Sequence, residues 1–316
     1  MSLPNNYINH PNVMFEPKDV IVLGKKYTLH TARFNSFTSL YNYLISNPPT
    51  NDQVFPILQS EECPIDIAGK PYYEALQDLL KPEGQQYNEF LEFEKSLSNA
   101  MLKESSKYEI VKTVSGGHLN IPAYSAGDPL CFDDLQRTKK TKFIKIYVLI
   151  SYNGYTKESQ VINRTKIIAN IIKALENAGY NVELEAFELS YLDDEIEYTV
   201  VKIKNHGEKI RMNNLYKALC HIEFFRRIIF RVMETMDFRN YWGSGYGNKC
   251  NKSFTQDFLK FSNRDIYFDQ PSKMGIRGYD LVEDFENVIE YLNLEDKIDI
   301  EKAKAGFKKE LVKIKK

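Results

Sequence analysis

From Phe143 onward the chain alternates two incompatible periodicities, and this alternation limits its fold more than any other feature. "FIKIYVLIS", residues 143–151, is a near-continuous apolar run, the pattern of a strand buried on both faces of a sheet. The apolar residues that follow, Ile162, Ile168, Ile171, Ile172 and Leu175, fall at the three- and four-residue spacing of an amphipathic helix. Gly179 ends that helix, where a glycine can take the left-handed conformation of a C-cap. "NVELEAFELS" (181–190) and "EYTVVKIKN" (197–205) then read as strands, Met212 to Met236 as one long amphipathic helix, "DIYFD" (265–269) as a short strand and Leu281 to Leu292 as a last helix. Such alternation is the mark of βαβ units, whose crossovers place helices on both faces of a mainly parallel sheet. The expected class is α/β, with a Rossmann-like three-layer domain over residues 142–296.

The first part of the chain has a different pattern. Residues 1–18 carry Pro4, Pro11 and Pro17 without any period, which predicts an extended arm. "DVIVLGKKYTLHTARF" predicts a hairpin turning at Gly24, and helices are expected over Ser36–Ile45, Tyr72–Leu80 and Gln86–Leu102. A strand at Tyr108–Val114 and an irregular segment broken by Gly116, Gly117, Pro122, Gly127 and Pro129 follow. The basic stretch "QRTKKTK" (136–142) marks a boundary. The reading is therefore a smaller α+β domain over 1–136, the α/β domain over 142–296, and a lysine-rich amphipathic tail over 297–316.

Forty-two Lys and Arg against 43 Asp and Glu leave a formal charge of -1, so no global field draws the chain to nucleic acid or membranes. The four cysteines include no CxxC pair, which argues against a zinc ribbon or a disulfide scaffold and suits reduced cytosolic thiols. No run approaches the roughly 18 apolar residues of a membrane span, and the N-terminus lacks a leader pattern. A cytoplasmic location is expected.

Ligands of open α/β sheets sit beyond the carboxyl ends of the strands, which directs attention to the polar turn "SYNGYTKE", Ser151–Glu158. A second loop, "YWGSGYGNKCNKS" (241–253), carries Gly243, Gly245, Gly247 and Lys249. It is not a Walker loop, because it follows a helix and lacks Gly-Lys-Ser/Thr. His118, Asp128 and Cys131 contain the ingredients of a Cys-His pair, although irregular packing explains the segment better. Arg226 and Arg227 diverge by about 100° on an α-helix, so one is expected on the exposed face and the other on a carboxylate or a carbonyl at the domain interface, an interdomain salt bridge being favoured over an anion site. Asp193, Asp194, Glu195 and Glu197 read as a solvated acidic turn before a strand.

The succession of "FIKIYVLIS", "RTKIIANIIKALENAGYNVEL" and "FFRRIIFRVMETM" resembles a von Willebrand factor A-type domain. Residues 110–295, with "IPAYSAGDPLCF" ahead of this module, also resemble an uncharacterised phage-encoded family. Von Willebrand A domains usually hold Mg²⁺ on an Asp-x-Ser-x-Ser turn. The resemblance places that motif on Ser151, Asn153 and Tyr155, without the anionic anchor that offsets dehydration of Mg²⁺. No metal and no cofactor is therefore expected, although Glu158 or Asp193 could in principle substitute for the missing anchor.

The expected function is a non-enzymatic interaction or assembly factor that binds a protein through Ser151, Asn153, Tyr155, Glu158, Trp242, Tyr246 and Lys249. Self-association is a further option. The first alternative is a nucleotide- or phosphate-binding enzyme using Asn153, Arg226 and Lys249 at the same edge. The second is a nucleic-acid accessory protein using the lysine tail. If the chain is phage-encoded, it acts in the host cytoplasm, with virion association left open.

Overall fold

A computed structural model of the protein describes residues 17–49, 69–80, 88, 90, 108–137, 142–236, 250–262, 264–294 and 301. The predicted helix Gln86–Leu102, the loop 241–249 and the lysine tail lie almost wholly outside the described residues. A six-stranded mixed sheet organises the rest. It is built from β1 (Lys18–Val22), β2 (Lys25–Phe34), β6 (Lys142–Leu149), β7 (Tyr180–Leu192), β8 (Glu195–Lys204) and β9 (Ile266–Phe268), in the order β1-β2-β8-β7-β6-β9. Pairings β2–β8, β7–β6 and β6–β9 are parallel, whereas β1–β2 and β7–β8 are antiparallel hairpins. The α/β class holds, with a sheet more mixed than the alternation implied.

The sheet draws strands from both sides of the boundary expected near residue 140. Thr28 to Phe34 of β2 run beside Glu195 to Val201 of β8 in parallel register, so the amino-terminal hairpin extends the main sheet. A second, three-stranded antiparallel sheet is formed by β3 (Tyr108–Thr113), β4 (His118–Leu119) and β5 (Phe132–Arg137), with the short α3 (Ile121–Ser125) between β4 and β5. This replaces the irregular segment anticipated there.

Side-chain alternation sends the strands' apolar residues to two faces. Ile144, Ile146 and Val148, Val182, Leu184 and Ala186, and Ala32 and Phe34 pack into the larger core. That core also contains α1 (Phe37–Ser46), α2 (Tyr72–Asp78), α4 (Glu158–Asn177), α5 (Met212–Leu219), α6 (Phe230–Thr235) and α8 (Leu281–Leu292). Tyr147, Leu149, Phe187, Leu189 and Tyr198 face the other way and meet α7 (Lys252–Leu259) through Phe254 and Phe258. Three layers exist, but they are unequal: among the described residues one short helix covers the second face.

Helix α4 buries Ile168, Ile171, Ile172 and Leu175 of its predicted stripe, whereas Ile162 is half-buried and its neighbour Val161 is buried instead. Gly179 follows at φ +87°, a conformation open to glycine at little cost. The expected long helix 212–236 is broken. Helix α5 ends at Leu219, Phe224–Ile229 is a π-helical turn, and α6 follows it. The wider i→i+5 turn is a common mark of functional sites. Phe224, Phe225, Arg226 and Arg227 are all buried along it.

Candidate functional site

The chain leaves β6 in one direction for β7 and returns from the far side as β9, so both parallel neighbours of β6 are filled by later strands. The carboxyl ends of β6 and β9 thus form a topological switch point, the usual crevice for a ligand in such sheets. Arg164 of α4 fills it. Its guanidinium is fully buried, with Nη1 donating to Leu149 O (2.8 Å) and Asp269 O (2.9 Å) and Nη2 to the Tyr152 hydroxyl (2.6 Å). The same group lies 5.1 Å from the centre of the Tyr152 ring, whose edge contacts Phe225 of the π-turn. Burial raises the Tyr152 phenol above its ordinary value, with the Arg164 charge opposing. One cation therefore ties together the two strand ends between which a ligand would enter.

The turn after β6 is self-satisfied. Asn153 Oδ1 accepts from Tyr155 N (3.1 Å) and Thr156 Oγ1 (3.0 Å), and Thr156 N donates to Asn153 O (3.1 Å). Such an Asx turn holds its backbone without any ion. Arg226 Nη2 donates to Asn153 O at 2.7 Å. Asn153 and Arg226 do meet, but through a carbonyl. Arg227 Nε likewise donates to Lys70 O at 3.1 Å. Both arginines are buried and each donates to a backbone carbonyl, so neither takes the exposed face expected for one of them.

Ser151 is fully buried and its hydroxyl faces Glu188 Oε1 at 3.5 Å. Glu188 on β7 and Glu197 on β8 are both fully buried, Glu188 lying opposite Thr199 and Glu197 opposite Ser190. Burial is the main cause holding the Glu188 carboxyl well above its ordinary value, and the charge of Glu197 adds to it. Hydrogen bonds from Ser190 and Ser151 work against that rise. Glu195 and Glu197 belong to β8, so only Asp193 and Asp194 make the turn, where Lys25 bridges Asp194 at 3.0 Å. No group of three His, Cys, Asp or Glu side chains among the described residues is arranged to hold a metal. His118, Asp128 and Cys131 make no hydrogen bond to one another: Asp128 accepts from Leu130 N and Lys112 Nζ.

Two exposed tyrosines crown this edge. Tyr155 is 94% exposed and Tyr279, in the loop before α8, 78% exposed. Lys157 Nζ donates to the Tyr279 hydroxyl at 3.0 Å, which raises the lysine and lowers the phenol relative to their ordinary values. The loop carrying Tyr279 is fixed in place. Arg277 N, Gly278 N and Asn163 Nδ2 all donate to the buried Asp284 carboxylate (2.6, 2.9 and 2.8 Å), and Gln160 Nε2 donates to Ile276 O (2.7 Å). Gly278 is at φ +79°, and a Cβ there would fall 2.8 Å from Gln160 N, so the loop can approach the start of α4 only with glycine at this position. Glu158, the first residue of α4, is exposed beside it. Trp242, Tyr246 and Lys249 lie outside the described residues.

A family model for a domain of unknown function, DUF7192, matches residues 15–296. The chain belongs to the DUF7192 family. No curated protein and no solved structure matches it. The DUF7192 match begins ahead of β1 and ends after α8, so it takes in the amino-terminal hairpin, the small antiparallel sheet and the carboxyl edge together.

Sequence reasoning placed Ser151, Asn153, Tyr155 and Arg226 at this edge and missed Arg164, Glu188, Asp269 and Tyr279. A signal existed for two of them. Arg164 lies three residues after Val161 and four before Ile168, on the apolar stripe of α4, and Glu188 continues the inward parity of Val182, Leu184 and Ala186.

Proposed function

We propose that this DUF7192 protein is a non-enzymatic, phage-encoded interaction or assembly factor that binds a protein partner at the carboxyl edge of its main sheet. The module over 142–296 is read as a von Willebrand A-like domain whose metal turn has degenerated: Ser151, Asn153 and Tyr155 stand at the motif positions, and Asn153 spends its side-chain oxygen on its own turn. The observation that carries the reading is Arg164, which occupies the switch-point crevice and leaves the exposed tyrosines above it as the accessible chemistry. Tyrosine supplies large contact area with few torsions to fix, and is enriched among the residues that dominate binding energy. The phosphate-binding alternative is weakened because Arg226 is already engaged with the Asn153 carbonyl.

The test is affinity purification of tagged wild-type chain and of the Y155A/Y279A variant from the native host, with partners identified by mass spectrometry. A stoichiometric protein recovered with the wild type and lost with the variant is the expected result. A rise of several degrees in Tm on adding Mg²⁺ or a nucleotide, without any such partner, would overturn the reading.

A further inference from the structure

Among the described residues the second face of the main sheet is only partly covered, and a groove of about 770 Å³ runs along the open part. One wall is the β1–β2 hairpin and the other the carboxyl end of α7, and Leu23 N donates to Asp257 Oδ2 (2.6 Å), joining the hairpin to that helix. Leu29, Tyr147 and Tyr198 form its floor. Its lining carries five cations, Lys18, Lys26, Arg33, Lys145 and Lys260, against one carboxylate, Asp19. Asp19 answers Lys26 at 2.7 Å, the buried Glu185 answers Arg33 (3.1 Å) and Lys145 (2.8 Å), and Glu183 meets Lys145 as well (3.2 Å). Lys18 and Lys260 have no ion pair among the described residues, so the groove keeps an excess of positive charge in a chain whose formal total is -1. Thr31 adds a buried hydroxyl with no hydrogen-bond partner, and Ile21, 70% exposed, places an aliphatic side chain on the rim.

We propose that this groove is a second binding site, distinct from the carboxyl edge, for an acidic polypeptide segment with apolar side chains between its carboxylates. Charge complementarity selects an anion, and a groove of this size with an apolar floor selects one that also brings apolar groups to bury. The rings decide against nucleic acid. Lys145 Nζ sits over the face of Tyr147 at 4.7 Å, and Tyr198 meets Phe258 edge-on at 5.2 Å, which leaves no open platform of the kind that bases stack on.

The test is a display selection of random twelve-residue peptides on the full chain, followed by fluorescence anisotropy of the enriched sequences. Enrichment of acidic peptides that alternate with Leu, Ile, Val or Phe is expected. Their affinity should fall at least tenfold for K18E/K260E and severalfold for I21S, whose altered side chains all lie at the surface, and should weaken between 50 and 300 mM salt. Circular dichroism of each variant checks that the fold is kept. The proposal is overturned if no acidic sequence is enriched, if the enriched peptides bind K18E/K260E as they bind wild type, or if a twelve-nucleotide thymidine oligomer binds more tightly than any peptide.

Discussion

Replacing Arg164 by methionine removes the cation that stitches β6 to β9 while keeping an unbranched chain of similar length. Three acceptors lose their donor: Leu149 O, Asp269 O and the Tyr152 hydroxyl. A buried polar group left unsatisfied costs about 1–3 kcal/mol, so the three together cost roughly 3–9 kcal/mol. Removing a buried charge returns part of this, because desolvating an ion is itself costly by several kcal/mol. The expected net loss is about 3–5 kcal/mol, a large share of the roughly 5–15 kcal/mol that holds a domain together. Arg164→Lys keeps the charge but presents one nitrogen where two reach three acceptors, and should lose about half as much. Urea unfolding followed by far-ultraviolet circular dichroism reads both, and the two variants should shift the midpoint in that order. A Met variant within about 1 kcal/mol of wild type, with an unchanged slope, would refute the claim that Arg164 organises the switch point.

The buried pair Glu188 and Glu197 predicts the opposite sign. Because Glu188 keeps its proton in the folded chain above the ordinary value of 4.5, the folded state binds the extra proton, and stability falls as pH rises from that value through the folded one. Glu188→Gln should therefore raise Tm at pH 8 and change little at pH 4; equal effects at both would be incompatible with the assignment. Gly278→Ala should destabilise the fold by about 1–3 kcal/mol through both the strained φ and the close approach to Gln160, read as a lower Tm, and a silent substitution would mean that the loop does not sit against α4. Burial pushes the Cys220 thiol up to about 12, so iodoacetamide at pH 8 should leave it unmodified in the native protein and alkylate it in 6 M guanidinium, read by peptide mass mapping.

Helix α4, strands β6 to β9 and the terminal helix α8 were legible because each has a strong period and clear stops, Gly179 among them. The helix expected over Ser36–Ile45 and the hairpin at Gly24 followed from local chemistry as well. The small sheet was legible only in β3, expected as a strand over Tyr108–Val114: β4 is two residues long, and its segment reads as turns because Gly116, Gly117 and Gly127 all take positive φ. The break of the 212–236 helix was hidden for another reason. Its residues are apolar on most sides, Cys220, Ile222, Phe224 and Phe225 included, so a three-four pattern can be traced through them whether or not the hydrogen bonds shift. The candidate site was half legible. Ser151 and Asn153 follow from the end of a strand, whereas Tyr279 and Asp269 reach the same edge only because β9 returns beside β6, which no local pattern announces.

The pairing of β2 with β8 has a consequence for how the chain is made. The hairpin leaves the ribosome first, yet the partner of its inner edge comes far later: Lys25 finds the carbonyl of Asp193, 168 residues on. At roughly 5–20 residues per second this is a wait of about 10–30 s, during which the hairpin carries an open strand edge in a crowded cell. Lys18, Lys25 and Lys26 stud that ribbon, and such charges discourage edges from joining the wrong neighbour. Lys18 and Lys26, which line the groove of the folded protein, thus belong to a ribbon whose charge disfavours wrong pairing while the chain is being made.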